Sequence, residues 1–263
     1  MNIKFNKQMI LLSILLILVS GGTAVAEINN SGEDPANPLE FSSGNFSRDD
    51  CSILYFAEAT ASSSDFDRFI GLGLEMTHCT NPAEMTLEYM LGFHVVIIYL
   101  AGTDELAGQA TAIEQFVSVG GSLYIHQPNA AGEVMYAPAG FEIFIENPGW
   151  CNYPGSDYGP CIIDAGHSLM SGFTNDDLGG DFDLVGELGA GYTVHAINCV
   201  CEDPAVASGE FGSGLVVFDT SNFGGSHAPS AEYVLNMIDF LCLGQGTTAT
   251  ESETWGGLKS LYR

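Results

Sequence analysis

The stretch His94–His126, HVVIIYLAGTDELAGQATAIEQFVSVGGSLYIH, decides the fold. It opens with an uninterrupted apolar run, His94 to Ala101, of the kind that a strand buried on both faces requires. Leu106, Ala110, Ile113 and Val117 then recur at the helical period, which predicts a helix over Asp104–Val119. Gly120-Gly121 ends that helix, and SLYIH returns as a second short apolar strand. A strand, a helix and a strand in this order form a right-handed βαβ unit and therefore a parallel sheet.

The same pattern extends in both directions. Upstream, Ser52–Phe56 (SILYF) is a buried-strand run followed by SSSDFDRFIGLGL, a helix with Ser63 or Ser64 as N-cap and Phe66, Phe69 and Ile70 on one face. Met76–Thr80 is a candidate second strand, and Pro82 opens a helix over AEMTLEYML. Downstream, residues 129 to 191 carry little apolar period. Tyr192–Val200 and Leu215–Asp219 then read as strands around the turn EFGSG, and Ser230–Leu243 closes the domain as a helix.

The ends have a different character. Lys4 and Lys7, the apolar run Met9–Val19 and the small-residue exit Ala24-Val25-Ala26 make residues 1–26 a secretory signal peptide, cleaved before Glu27. The apolar run is too short to span a bilayer, so no stable membrane span is expected after cleavage. Residues 27–50 are a polar, turn-rich leader, residues 51–244 the α/β domain, and residues 245–263 a linker and tail ending TWGGLKSLYR. That tail returns Lys259 and Arg263 beside Trp255 and Tyr262 to a base-poor chain, and resembles the C-terminal tails of exported bacterial proteins. The expected location is secreted, periplasmic or cell-surface, with export or sorting machinery as a partner of the tail.

Charge narrows the partners. The chain has 6 Lys and Arg against 33 Asp and Glu, and loss of the signal peptide leaves four basic residues and a formal charge of −29. Charged residues are only 15% of the chain, below the roughly 25% of an average soluble protein, so bases are depleted rather than acids enriched. Nucleic-acid binding is excluded, since phosphate contacts need clustered Lys and Arg. The acidic run NDDLGGDFD (Asp176, Asp177, Asp181, Asp183) could offer oxygens to calcium, but it lacks EF-hand spacing and reads as a solvated loop. No cofactor is expected.

Seven cysteines in an exported chain point to disulfides with one thiol left over. Cys151 and Cys161 bracket a Gly-, Pro- and Tyr-rich loop and are an expected pair. Cys51, before the first strand, and Cys242, near the end of the last helix, are the second. Cys199 and Cys201 stand one residue apart in an expected strand, with no second pair at metal-ligand spacing.

Three segments together resemble the trehalose-utilisation (ThuA-like) proteins of the class I glutamine amidotransferase-like superfamily. QFVSVGGSLYIH (Gln115–His126) is similar to their F-V-x-x-G-G-G-x-x-x-x-H stretch. HSLMSGF (His167–Phe173) is similar to H-P-I/L-x-x-G-L/F, and GEFGSGLVVFDTSNF (Gly209–Phe223) to a Gly-rich strand entry. The resemblance implies a flavodoxin-like, mostly parallel sheet with helices on both faces and a site at the carboxyl ends of the strands. Amidotransferase members carry a nucleophilic Cys there. Here His126 holds the matching position, followed by Gln127 and Pro128, so the thiolate chemistry is not expected.

The candidate residues follow from that placement. His126 with Glu58, from the exit of the first strand, could act as a general base in a hydrolase, with a structural histidine at a strand end as the alternative. Asp104, His167 (three residues after Asp164), Asn222 and His227 are candidates for binding a small molecule or carbohydrate. The leading expectation is a ligand-binding or accessory module, the second an enzyme using His126, the third a surface structural protein with a functional tail.

Overall fold

A computed structural model describes residues 50–57, 63–126, 131–150, 160–179, 183–221 and 228–243. The expected signal peptide, residues 27–49 of the expected leader, Glu58, Gln127, Pro128, Cys151, Asp181, Asn222, His227 and the expected tail lie outside them.

Eleven strands and four α-helices are described. In chain order they are β1 (Ile53–Ala57), α1 (Ser63–Gly71), β2 (Met76–Cys79), α2 (Leu87–Met90), β3 (Val95–Tyr99), α3 (Ala110–Ser118) and β4 (Ser122–His126). The second half holds β5 (Gly132–Glu133), β6 (Ile143–Trp150), β7 (Pro160–Ile162), β8 (Asp183–Leu188), β9 (Thr193–Asn198), β10 (Pro204–Phe211), β11 (Gly214–Asp219) and α4 (Ala231–Leu243).

The main sheet has eight strands in the order β2-β1-β3-β4-β11-β10-β9-β7. Its first five are mutually parallel, and β10, β9 and β7 extend it antiparallel. Continuous apolar sequence in β1, β3 and β4 matches their complete burial. Alternating side chains feed two hydrophobic clusters. Tyr55, Ile97, Tyr99, Tyr124 and Val217 pack with Phe69 of α1 and with Tyr233, Val234, Met237, Ile238 and Leu241 of α4. Leu54, Phe56, Val96, Ile98, Leu123, Ile125, Val216 and Phe218 pack with Met90 of α2, Ile113, Phe116 and Val117 of α3, and Ile143, Ile145 and Val185. The last three come from a small antiparallel sheet, β5-β6-β8, for which the sequence had offered no strand pattern.

The Gly120-Gly121 stop is a Schellman turn. Gly121 N–H donates to Phe116 C=O and Gly120 N–H to Val117 C=O (both 3.0 Å), with Gly120 at φ 120°. A Cβ on Gly121 would lie 2.2 Å from the Phe116 ring, so both glycines are required where α3 enters β4.

Several boundaries are corrected. The expected helix over Asp104–Val119 begins as a 3-10 turn, Ala107–Gln109, and becomes α-helical only at Ala110. The segment after Pro82 forms a 3-10 turn, Pro82–Glu84, and then a separate short helix capped by Thr86. The strand expected to run to Val200 stops at Asn198, whose side chain accepts the N–H groups of Val200 and Cys201. Cys199 and Cys201 therefore sit in a turn rather than side by side on a strand.

The disulfides also divide. Cys51–Cys242 is present, with a Cα–Cα distance of 5.9 Å. Cys161, however, bonds Cys199 (Cα–Cα 5.0 Å) instead of Cys151. Antiparallel pairing sets Cys161 opposite Ile197, two residues from Cys199, and that register outweighs closeness in sequence. Cys201 is also disulfide-bonded, and Cys79 is a buried free thiol. Such bonds persist in oxidising surroundings. Among the described residues no helix is long and apolar enough to cross a membrane.

Candidate functional site

In an open parallel sheet the crevice forms where strand order reverses, at the carboxyl ends. Here β2 lies on one side of β1 and β3 on the other, which puts the reversal beside Ala57 and Tyr99. The register then runs Tyr99, His126, Asp219 straight across the ends of β3, β4 and β11. The chain leaves β3 through Leu100, held at φ 48°, a conformation that costs a bulky side chain energy and is found at constrained sites.

His126 is fully buried. Its ring lies between those of Tyr99 (centroids 4.9 Å) and Tyr124 (5.2 Å, 16° between planes). Nε2 is 2.7 Å from Ser221 C=O, and since a carbonyl only accepts, Nε2 carries the proton. Burial drives its pKa down to about 3, against a smaller opposing pull from that carbonyl. The imidazole is neutral at physiological pH and shut away from solvent.

Asp219, its partner in register, is equally buried. Its Oδ1 accepts Ser221 N–H (2.7 Å), and its Oδ2 accepts the hydroxyls of Tyr124 (3.1 Å) and Tyr233 (3.4 Å). Burial nonetheless dominates and raises its pKa to about 6, with those hydrogen bonds working in the opposite direction. Tyr124 and Tyr233 are raised by burial first and by the Asp219 charge second. His126, Ser221, Asp219 and two tyrosines thus form one buried network that locks β4, β11 and α4 together.

Asp104 is exposed on the turn after β3, and among the described residues no contact joins it to His126. Among the described residues no group of three His, Cys, Asp or Glu side chains is placed to hold a metal ion, and Asp177 caps the 3-10 turn Asn175–Leu178 through Thr174.

His167 has a different setting, beyond the reach of sequence reading. Its ring stacks on His195 at 3.7 Å and 14°, and its Nδ1 accepts Leu169 N–H. His195 Nδ1 lies 3.2 Å from Asp164 Oδ2, and His195 Nε2 lies 2.8 Å from Ser208 Oγ. Burial lowers both histidines, His167 to about 4; the neighbouring His195 lowers it further, and Asp164 opposes the shift in each. Asp164 and His167 were visible as a pair in DAGHSL. His195 and Ser208 were missed because only strand pairing brings β9 and β10 alongside them.

A cavity of about 530 Å³ opens at the other end of the sheet, along Asp50, Ser52, Gly73, Glu75, Thr77 and Phe93. There His94 Nδ1 accepts Ser52 N–H (3.0 Å) and meets Ser52 Oγ (2.8 Å), which ties the entry of β3 to that of β1.

Solved structures share this architecture. A cytoplasmic protein of Salmonella typhimurium superposes with a TM-score of 0.52 at 11% identity, covering 73% of this chain and 98% of that one. A protein described as a GMP synthase component, from Thermoplasma acidophilum, does so at 0.51 and 9% (74% and 95%). A ThuA-like protein of Parabacteroides merdae reaches 0.50 at 10% identity (77% and 93%). The domain shares its mostly parallel α/β fold with these proteins. No protein family matches the chain by sequence, and no curated protein matches it.

Proposed function

We infer that the chain is an exported ligand-binding module on a flavodoxin-like sheet with helices on both faces, without glutamine-amide chemistry. The observation that carries this reading is the state of His126. At the strand end where amidotransferases present a nucleophile, this chain places a buried, neutral imidazole committed to a backbone carbonyl. With its protonated nitrogen held by a backbone carbonyl, this ring serves to hold the fold. The two hydrophobic clusters support the helical layers, with α1 and α4 in one and α2 and α3 in the other. The signal-peptide pattern and the disulfides support export.

We assign ligand recognition to the segments that follow β1 and β11 in sequence, which contain Glu58, Asn222 and His227. A neutral carbohydrate is the first class to test, because the chain is nearly free of bases to attract an anion and its motifs resemble those of trehalose-utilisation proteins. Calorimetric titration with trehalose and a panel of neutral oligosaccharides tests this. Binding that Asn222→Ala and His227→Ala each weaken at least about tenfold supports it. Absence of binding, or equal affinity in both variants, removes it.

A further inference from the structure

The Asp164, His195 and Ser208 side chains come from three elements, the turn after β7, the middle of β9 and the middle of β10. They lie in line, a carboxylate on Nδ1 and a hydroxyl on Nε2 of one imidazole. A carboxylate can only accept, so Nδ1 carries the proton, and the lone pair on Nε2 is left to take the proton of Ser208. This is the arrangement by which a serine is made nucleophilic on unrelated folds, where it is recognised by roles and geometry rather than by chain order.

The imidazole is fixed from every side. Ile163 N–H and Asp164 N–H both donate to His195 C=O (2.9 and 3.2 Å). The Cys161–Cys199 disulfide clamps the same two strands, three residues before Asp164 and four after His195. His167 lies flat on the ring, and its loop is held by Asn236 of α4, whose side chain donates to Ser168 and Leu169 carbonyls (3.2 and 3.1 Å). A purely structural role does not explain the composition. Ala205, Val206 and Ala207 leave β10 otherwise apolar up to Ser208, and an alanine or valine there would avoid desolvating a hydroxyl and an imidazole. The carboxylate, by contrast, stays 43% exposed, so the line of groups runs from solvent to a buried serine.

We propose that Ser208, with His195 as its base and Asp164 as the positioning residue, hydrolyses carboxylic esters with a small, uncharged acyl group. As the Ser208 Oγ–carbon bond forms, the hydroxyl proton passes to His195 Nε2 and the carbonyl π pair moves onto oxygen. Collapse breaks the carbon–alkoxy bond, and the leaving alcohol takes the proton from Nε2. Water then attacks the acyl-serine, giving its proton to Nε2. Release of the carboxylic acid returns that proton to Ser208, so ester and water become acid and alcohol. Ser208 is 5% exposed, which limits the acyl group to something as slim as acetyl. Arg68 is the one Lys or Arg between residues 51 and 243 and donates to Pro229 C=O, so an anionic substrate finds little counter-charge in that stretch.

The test uses the full exported chain with methanesulfonyl fluoride, a serine-sulfonylating probe about as small as an acetyl group, followed by peptide mass spectrometry, and p-nitrophenyl acetate hydrolysis as a second readout. The probe is expected on Ser208. Ser208→Ala should abolish labelling and lower hydrolysis at least about 100-fold with an unchanged melting temperature. Asp164→Asn should lower kcat at similar KM and move the acidic limb of the pH profile to lower pH, because Asp164 supports the protonated imidazole. That limb would not move if Asp164 only braced the fold. Absence of label on Ser208 in the folded wild type overturns the proposal whatever the variants do, as does full hydrolysis by Ser208→Ala.

Discussion

Replacing Asp219 by asparagine should change how stability depends on pH. In the fold the carboxyl pKa is raised from 3.8 to about 6 because it is completely buried. A raised pKa means that the folded state holds the proton more tightly than the unfolded chain. The contribution is therefore fully present below about pH 4 and lost as pH rises through 6. A shift of about two units is worth about 3 kcal/mol. Asparagine copies the neutral acid, since its carbonyl can accept Ser221 N–H and its amide can donate to the hydroxyl oxygens of Tyr124 and Tyr233. Urea denaturation with the disulfides intact, at pH 4 and pH 8, measures the effect. Relative to wild type, Asp219→Asn should gain about 3 kcal/mol on going from pH 4 to pH 8. A stability difference that stays constant to within about 1 kcal/mol would refute the claim that Asp219 is desolvated.

Other outcomes follow from the same structure. Removing the Cys161–Cys199 bond with a double serine variant should cost up to about 4 kcal/mol, from the entropy of closing a 38-residue separation. Non-reducing peptide mapping should join Cys161 to Cys199, and a Cys151–Cys161 peptide would contradict the register of β7 and β9. Gly214→Ala should destabilise by more than about 3 kcal/mol in a thermal melt, because its Cβ would lie 2.1 Å from Gly121 C=O and 2.3 Å from Val117 C=O. Protein sequencing of the exported product should begin at Glu27, and a product that retains Met1–Ala26 would remove the signal-peptide reading.

The parallel half of the sheet was legible because β1, β3 and β4 are short apolar runs and a Gly-Gly pair marks the end of α3. In its antiparallel half only β9 was legible, expected over Tyr192–Val200. β10 is PAVASGEF, made mostly of small residues with weak strand preference, and it is stabilised by pairing with β9 and β11 on either side. The small sheet β5-β6-β8 joins segments some forty residues apart through an irregular register. Cys161 illustrates the same limit, since its partner is chosen by strand register across 38 residues while the nearest cysteine in sequence is not used. At the candidate site, the strand end at His126 was legible, but its enclosure depends on Tyr99 and Ser221, which lie outside its strand, as well as on Tyr124 within it. Ser208 and His195 carried no local signal at all, because the contact between them crosses a β-bulge.

The structural role proposed for the strand-end histidine, in place of a catalytic base, has a direct test. Heteronuclear NMR of the imidazole ring nitrogens, followed from pH 8 to pH 5, measures this directly. His126 should remain neutral throughout, with its proton on Nε2. A titration near pH 6.5, or a proton on Nδ1, would contradict it.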